Sequence, residues 1–255
     1  MRHVSGDAGV AAASSINAQE IAPSRGAPRP VPRAILFDLD GTLVDSVPDL
    51  ARCVNAALSA VGAPAVSQAQ VRSWVGNGAS RLLHRALTGQ VDGMAAAALH
   101  ASAMAVFNAC YADDPGRDSG LYPGANATLA ALVAKGISLG CVTNKPHRFV
   151  RPLLEALGLG QCFAVLVGGD STPYLKPDPS PVRAALAALG VPASQSLLVG
   201  DSHVDMAAGQ AAGVATVAVS YGYDSGCDFR ALGALAVLDR LTDLPTVWGC
   251  PAVAG

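Results

Sequence analysis

The chain predicts an α/β fold, a doubly wound parallel sheet with an all-helical segment inserted after its first strand. Three observations carry this. Residues 34–37 (AILF) form a short apolar run stopped by a turn signal, as expected of a strand buried on both faces. From residue 123 onward short apolar runs alternate with stretches of helical periodicity, the rhythm of consecutive βα units. Between them, residues 49–119 carry helical spacing and no strand-like run.

In order, residues 1–32 are rich in Ala, Ser, Gly and Pro without periodicity and read as a disordered tail. The apolar run at 10–13 is too short for the core of a signal peptide. After the first strand, 48–61 has helical spacing and stops at Gly62. Ser67 is placed to cap a short helix that ends at Gly76-Asn77-Gly78. Two further helices are expected at 79–87 and 93–111, and 112–120 reads as a return linker. Strands follow at 137–142, 164–167, 196–199, 215–219 and 236–238, with helices at 125–135, 146–157, 180–189 and 204–212 between them. The expected organisation is a tail (1–32), a sheet domain (33–48 and 120–248) and a helical domain (49–119).

Composition narrows the function. Lys plus Arg number 17 against 19 Asp plus Glu, so no charge excess argues for nucleic acid or an anionic membrane surface. No apolar run reaches about 18 residues, the length of a membrane span. Six scattered cysteines without a C-x-x-C pair read as free thiols in a reducing cytoplasm. Only three lysines (135, 145 and 176) stand against fourteen arginines, so a retained Lys marks a place suited to a compact point charge.

The polar groups cluster at predicted strand ends: Asp38 and Asp40 after the first strand, Thr143-Asn144-Lys145 after 137–142, Lys176 in the loop beyond 164–167, and Asp201 with Asp205 after 196–199. In a parallel sheet these ends share one edge, where open α/β sheets bind ligands. Four converging carboxylates repel one another unless a cation sits among them, and hard carboxylate oxygens select Mg²⁺, which recruits phosphate. The Thr143 hydroxyl and Lys176 ammonium are donors suited to phosphate oxygens. One carboxylate can attack phosphorus, and a second two residues on can move protons.

DLDGTLVDS (38–46), TNK (143–145), KPDP (176–179) and GDSHVD (200–205) resemble, in order, the four motifs of the haloacid dehalogenase (HAD) superfamily of phosphatases. The helical insertion resembles that superfamily's cap. Within it, WVGNGASRLLHRAL (74–87), GGDSTPYLKPDPSPV (168–182) and YGYDSG (221–226) are similar to bacterial phosphoglycolate phosphatases. The resemblance covers about residues 33–245. It implies a Rossmann-like HAD core and Mg²⁺-dependent hydrolysis of a small phosphate ester, 2-phosphoglycolate first. N-acetylmuramic acid 6-phosphate or a sugar phosphate is the alternative. It implies Asp38 as nucleophile and metal ligand, Asp40 as general acid/base with its carbonyl on the metal, and Thr143 and Asn144 as phosphoryl holders. Lys176 would neutralise charge, Asp201 would ligate the metal and Asp205 would support it.

For Gly76-Asn77-Gly78 two readings stand: a helix–helix turn, or backbone amides that bind the substrate. Lys145 is either close to substrate or a surface charge, and Arg72, Arg81 and Arg85 are expected as solvated helix residues, the alternative being that one of them approaches the substrate carboxylate. A phospho-Asp receiver is the non-enzyme alternative, but such domains are about half this length with their phospho-acceptor later in the sheet, and Asp40 and the cap argue for turnover instead. A cytoplasmic monomer or homodimer without nucleic-acid or membrane partners completes the expectation.

Overall fold

The computed structural model describes residues 29–224 and 226–254; the tail expected at 1–32 lies, for residues 1–28, outside the described residues. The chain runs β1 (Ala34–Phe37), β2 (Val44–Asp45), helices α1 (Val47–Ala60), α2 (Gln68–Trp74), α3 (Ala79–Thr88) and α4 (Ala97–Asp113), then β3 (Gly120–Leu121). It continues through α5 (Ala125–Ala134), β4 (Ser138–Val142), α6 (His147–Ala156), β5 (Val165–Val167), α7 (Ser180–Leu189), β6 (Ser196–Gly200), α8 (His203–Ala212), β7 (Ala215–Val219) and β8 (Ala236–Leu238).

Six strands form one parallel sheet in the order β5-β4-β1-β6-β7-β8. β1 lies inside it, and all four of its side chains are fully buried. Alternation sends Ile35 and Phe37 to one face, where Leu129 and Leu132 of α5 and Leu153 and Leu154 of α6 cover them. Leu36 faces the other layer, with Val182 and Ala185 of α7 and Ala208 of α8. Each such aliphatic side chain contributes roughly 1.5–3 kcal/mol by leaving water. After β5 the chain crosses back over β1 to start β6, so the winding reverses beside β1. A crevice for ligands opens there, at the carboxyl ends of β4, β1 and β6.

The four helices α1–α4 build a separate apolar cluster from Leu50, Val54, Leu58, Val71, Trp74, Leu82, Leu83, Phe107 and Tyr111, joined by Phe149 of α6. Ser67 caps α2 through a reciprocal bond with Gln70, as its position predicted.

The structure corrects several expectations. β2 and β3 pair antiparallel where the chain leaves and rejoins the sheet domain; two residues each are too few to show a period. A 3₁₀ segment (Leu241–Trp248) buries Leu244 and Trp248 against the main core. Helix α4 starts at Ala97 and not at Gly93, because Gly89 ends α3 in the left-handed conformation and 89–96 forms the connecting loop. Arg85 is buried, not solvated: it donates to the carbonyls of Trp74 (2.6 Å) and Val91 (2.9 Å), tying α2 to that loop.

Candidate active site

Asp38 and Asp40 leave β1 on a tight loop. The Asp38 amide extends the sheet ladder to the Val199 carbonyl (2.9 Å), which fixes where the first carboxylate starts. The amides of Leu43 and Val44 then return to the Leu39 carbonyl (both 3.0 Å). Gly41 takes φ +95°, and a Cβ there would collide with the Asp201 carboxylate. This turn gives the two acids different partners despite their i, i+2 spacing.

Around Asp38 the charges are buried and interlocked. Lys176, 3% exposed, places its ammonium 2.9 Å from Asp38 Oδ1 and 2.6 Å from Asp205 Oδ1, and donates to the Val142 carbonyl at 2.7 Å. Asp205 Oδ2 accepts from the Ser202 amide (3.2 Å), which closes the N-terminal capping box of α8, and from the Ser202 hydroxyl (2.6 Å). Asp201 accepts from the Thr42 hydroxyl (2.9 Å) and from the Tyr223 amide (2.8 Å). Burial would lower the Lys176 ammonium, but Asp205 and Asp38 outweigh it and hold it above its ordinary value.

The donor set fits a divalent cation. Carboxylate oxygens of Asp38, Asp201 and Asp205 lie within 4.8 Å of one another. At about 4 Å and an effective dielectric of about 20, each repulsive pair costs about 4 kcal/mol. Asp38 Oδ1 is buried and, although at ion-pair distance from Lys176, has no aligned hydrogen-bond donor among the described residues. Burial, with the neighbouring carboxylates, pushes the Asp38 carboxyl up to about 7 against the pull of Lys176, and raises Asp201 in the same way. One cation would relieve all of these at once. Three oxygen donors of this hardness suit Mg²⁺ or a similar ion.

Asp40 points elsewhere. Both of its oxygens face the Lys145 ammonium (2.9 and 3.1 Å), which also lies 4.5 Å from the centre of the Tyr111 ring. Lys145 is 5% exposed, which settles its alternatives against a surface charge. The sequence left Lys145 open between these two places and did not single out Tyr111. The scarcity of lysine was the available signal for the first; nothing in the periodicity of α4 separates Tyr111 from a core aromatic.

Thr143 is buried at the end of β4, its hydroxyl accepting from the Lys145 amide (3.2 Å). Asn144 is placed differently from a phosphoryl holder. Its side chain donates to the Gly76 and Lys176 carbonyls (2.9 and 3.0 Å) and accepts from the Lys176 amide (2.9 Å). It therefore latches the Lys176 loop and the helical block together, leaving its backbone for any ligand. Asp38, Asp40, Thr143, Lys145 and Tyr111 border a cavity with about 490 Å³ of free space, mouth included, closed on the far side by Leu50, Gly76, Gly78 and Phe107. A second cleft reaches Asp38, Asp40 and Asp201 past Arg72, Gly76 and Asn77. Both halves of the expected site thus meet at one place, the strand ends and the Gly76–Gly78 turn facing each other.

Fold and site together define a hydrolase of the doubly wound class, with a carboxylate-lined pocket at its sheet edge. Residues 35–219 match the family model of haloacid dehalogenase-like hydrolases. The chain is 42% identical over 213 residues to a phosphoglycolate phosphatase of Nitrosococcus oceani, covering 84% of this chain and 95% of that one. It is 45% identical over 229 residues to a phosphoglycolate phosphatase of Rhodospirillum rubrum, covering 88% and 94%. A crystal structure described as a predicted phosphoglycolate phosphatase from Haemophilus somnus superposes with a TM-score of 0.77 at 35% identity, covering 84% and 97%. The chain belongs to the haloacid dehalogenase-like hydrolase family and is an enzyme.

Proposed function

We propose that this hydrolase is a Mg²⁺-dependent phosphomonoesterase whose preferred substrate is 2-phosphoglycolate, released as glycolate and phosphate. The observation that carries the chemistry is the convergence of Asp38, Lys176, Asp201 and Asp205 beside a cavity that the helical block closes. The names of the relatives support the substrate.

In this reading residues 33–48 and 120–248 form the catalytic domain and 49–119 the cap. Asp38 attacks phosphorus and the bond from phosphorus to the ester oxygen breaks, leaving an aspartyl-phosphate. Asp40 gives its proton to the departing glycolate oxygen, then takes one from the water that attacks the phosphoryl group; that attack breaks the bond between phosphorus and the Asp38 oxygen and releases inorganic phosphate. Lys176 offsets charge on the phosphoryl oxygens as it develops, held in place by Asp205 and the Val142 carbonyl. The Thr143 hydroxyl and the backbone at Asn144 hold the same oxygens. Asp38, Asp201 and the Asp40 carbonyl would hold Mg²⁺, with Asp205 supporting; the ion would neutralise phosphate charge and polarise the phosphorus–oxygen bond.

Lys145 supplies a reason for a small acidic substrate. A substrate carboxylate entering the cavity offers this lysine a partner other than Asp40, which frees Asp40 to carry a proton. A neutral leaving group cannot do this. No helix of the described residues is long and apolar enough to cross a membrane.

The test is phosphate release from 2-phosphoglycolate, N-acetylmuramic acid 6-phosphate, several sugar phosphates and pyrophosphate, with Mg²⁺ and with chelator. The expected result is Mg²⁺-dependent release with the highest kcat/KM on 2-phosphoglycolate. A clear preference for a sugar phosphate would overturn the substrate while leaving the chemistry intact.

A further inference from the structure

Helices α1 and α4 bring two cysteines together that the sequence separates by 57 positions. Cys53 Sγ and Cys110 Sγ lie 2.6 Å apart. A disulfide needs about 2.05 Å between sulfurs, with side chains that converge, so the two sulfurs already face each other and only a short further approach separates them from a bond. Among the described residues no other pair of cysteines comes within sulfur hydrogen-bond distance. The two thiols also differ. Cys53 is fully buried, whereas Cys110 is partly exposed. The Arg52 guanidinium lies 3.2 Å from Cys110 Sγ while also holding Asp49 (2.6 Å) and Asp118 (2.9 Å). Cys110 is therefore the one of the two that a dissolved oxidant reaches, and the Arg52 guanidinium beside it offsets negative charge developing on its sulfur. Burial, and the hydrogen bond with Cys110, push the Cys53 thiol up, so it stays protonated until a partner is oxidised.

We propose that Cys53 and Cys110 are an oxidisable pair, in which Cys110 reacts first with a peroxide and Cys53 resolves it to an intramolecular disulfide. The Cys110 thiolate attacks one peroxide oxygen, the O–O bond breaks, and the departing hydroxide takes a proton to become water. The Cys53 sulfur then attacks the Cys110 sulfenic acid. The S–O bond breaks, and the hydroxyl leaves with the Cys53 proton as a second water. Two thiols lose two electrons in all, and hydrogen peroxide is reduced to two waters. The bond would tie α1 to α4 beside Tyr111 and Leu50, which line the cavity. It would therefore fix one wall of the site, whatever substrate that site accepts.

The experiment treats the full chain with stoichiometric hydrogen peroxide, counts thiols after denaturation and maps peptides without reduction. The expected result is loss of two of the six thiols, one cross-linked peptide pair containing Cys53 and Cys110, and full recovery with dithiothreitol. The oxidised form should melt at least roughly 5 °C higher, since the cross-link closes a long loop. In Cys53→Ser, dimedone should label Cys110 after peroxide; in Cys110→Ser, Cys53 should stay unlabelled. Six retained thiols would mean a hydrogen-bonded thiol pair only and would overturn the proposal. So would a cross-link through any other cysteine, or dimedone on Cys53 in place of Cys110. If either variant fails to fold, the peptide map of the unmodified chain decides alone.

Discussion

The sheet edge and the helical block are built on opposite principles. The edge buries Lys176, Asp201 and Asp205 around a half-buried Asp38, and buries Lys145 against Asp40, an arrangement that favours chemistry over stability. The block buries Leu, Val, Ala and aromatic side chains in a core of its own. Its main buried ionic cluster, Asp49 with Arg52, sits at the junction with the sheet domain and away from the cavity. The difference teaches which changes should separate activity from stability: at the edge a substitution removes function first, and in the block it removes stability first.

Asp38→Asn is the largest test of that contrast. It removes the attacking oxygen while relieving repulsion from the neighbouring carboxylates, so phosphate release should fall by about 10⁴-fold or more with no loss of thermal midpoint in the absence of metal. A lowered midpoint in a chelated sample would break the comparison. Lys176→Met should cost activity and stability together. Turnover should drop about 10²–10³-fold, and urea unfolding should show a loss of roughly 3–5 kcal/mol from the carboxylates left unpaired.

Lys145→Met is expected to lower kcat/KM on 2-phosphoglycolate about 10–100-fold and to do less harm on phosphate esters with neutral leaving groups. An equal loss on both would reduce Lys145 to a structural partner of Asp40. The smallest effect belongs to the block. Burial would raise the Asp49 carboxyl, but hydrogen bonds from Ser119 and Arg52 outweigh it and hold it below its ordinary 3.8. A carboxyl depressed in the folded state stabilises fully above its unfolded value, and that contribution disappears as pH falls through the lower folded one. Asp49→Asn should therefore lose about 1–2 kcal/mol at neutral pH, keep turnover near the parent value, and unfold with a weaker pH dependence below about pH 4. Differential scanning calorimetry from pH 3 to 7 reads this.

Most of the sheet was legible because β1 is an unbroken apolar run and β4, β6 and β7 are mostly apolar runs between turn signals, and because motif residues follow the carboxyl ends of β1, β4 and β6. What the sequence concealed has physical reasons. β2 and β3 are two residues each and are defined by pairing with each other across the helical block, which no local pattern records. Asn144 looks like a ligand-facing amide, yet its side chain is committed to Gly76 and Lys176, an outcome that depends on loops meeting in space. Arg85 reads from sequence as a solvated helix residue and is buried because carbonyls of α2 and of the loop after α3 need a donor. Lys145 was visible as a rare lysine, but its partner Asp40 lies 105 positions away.

The measurement that bears most directly on the account is acid quench of the enzyme during turnover of 2-phosphoglycolate with Mg²⁺, followed by peptide mass mapping. The account predicts one phosphoryl group on the peptide carrying Asp38, absent in Asp38→Asn and absent with chelator. Phosphate release at full rate with the phosphoryl group on another side chain, or undiminished in Asp38→Asn, would contradict it.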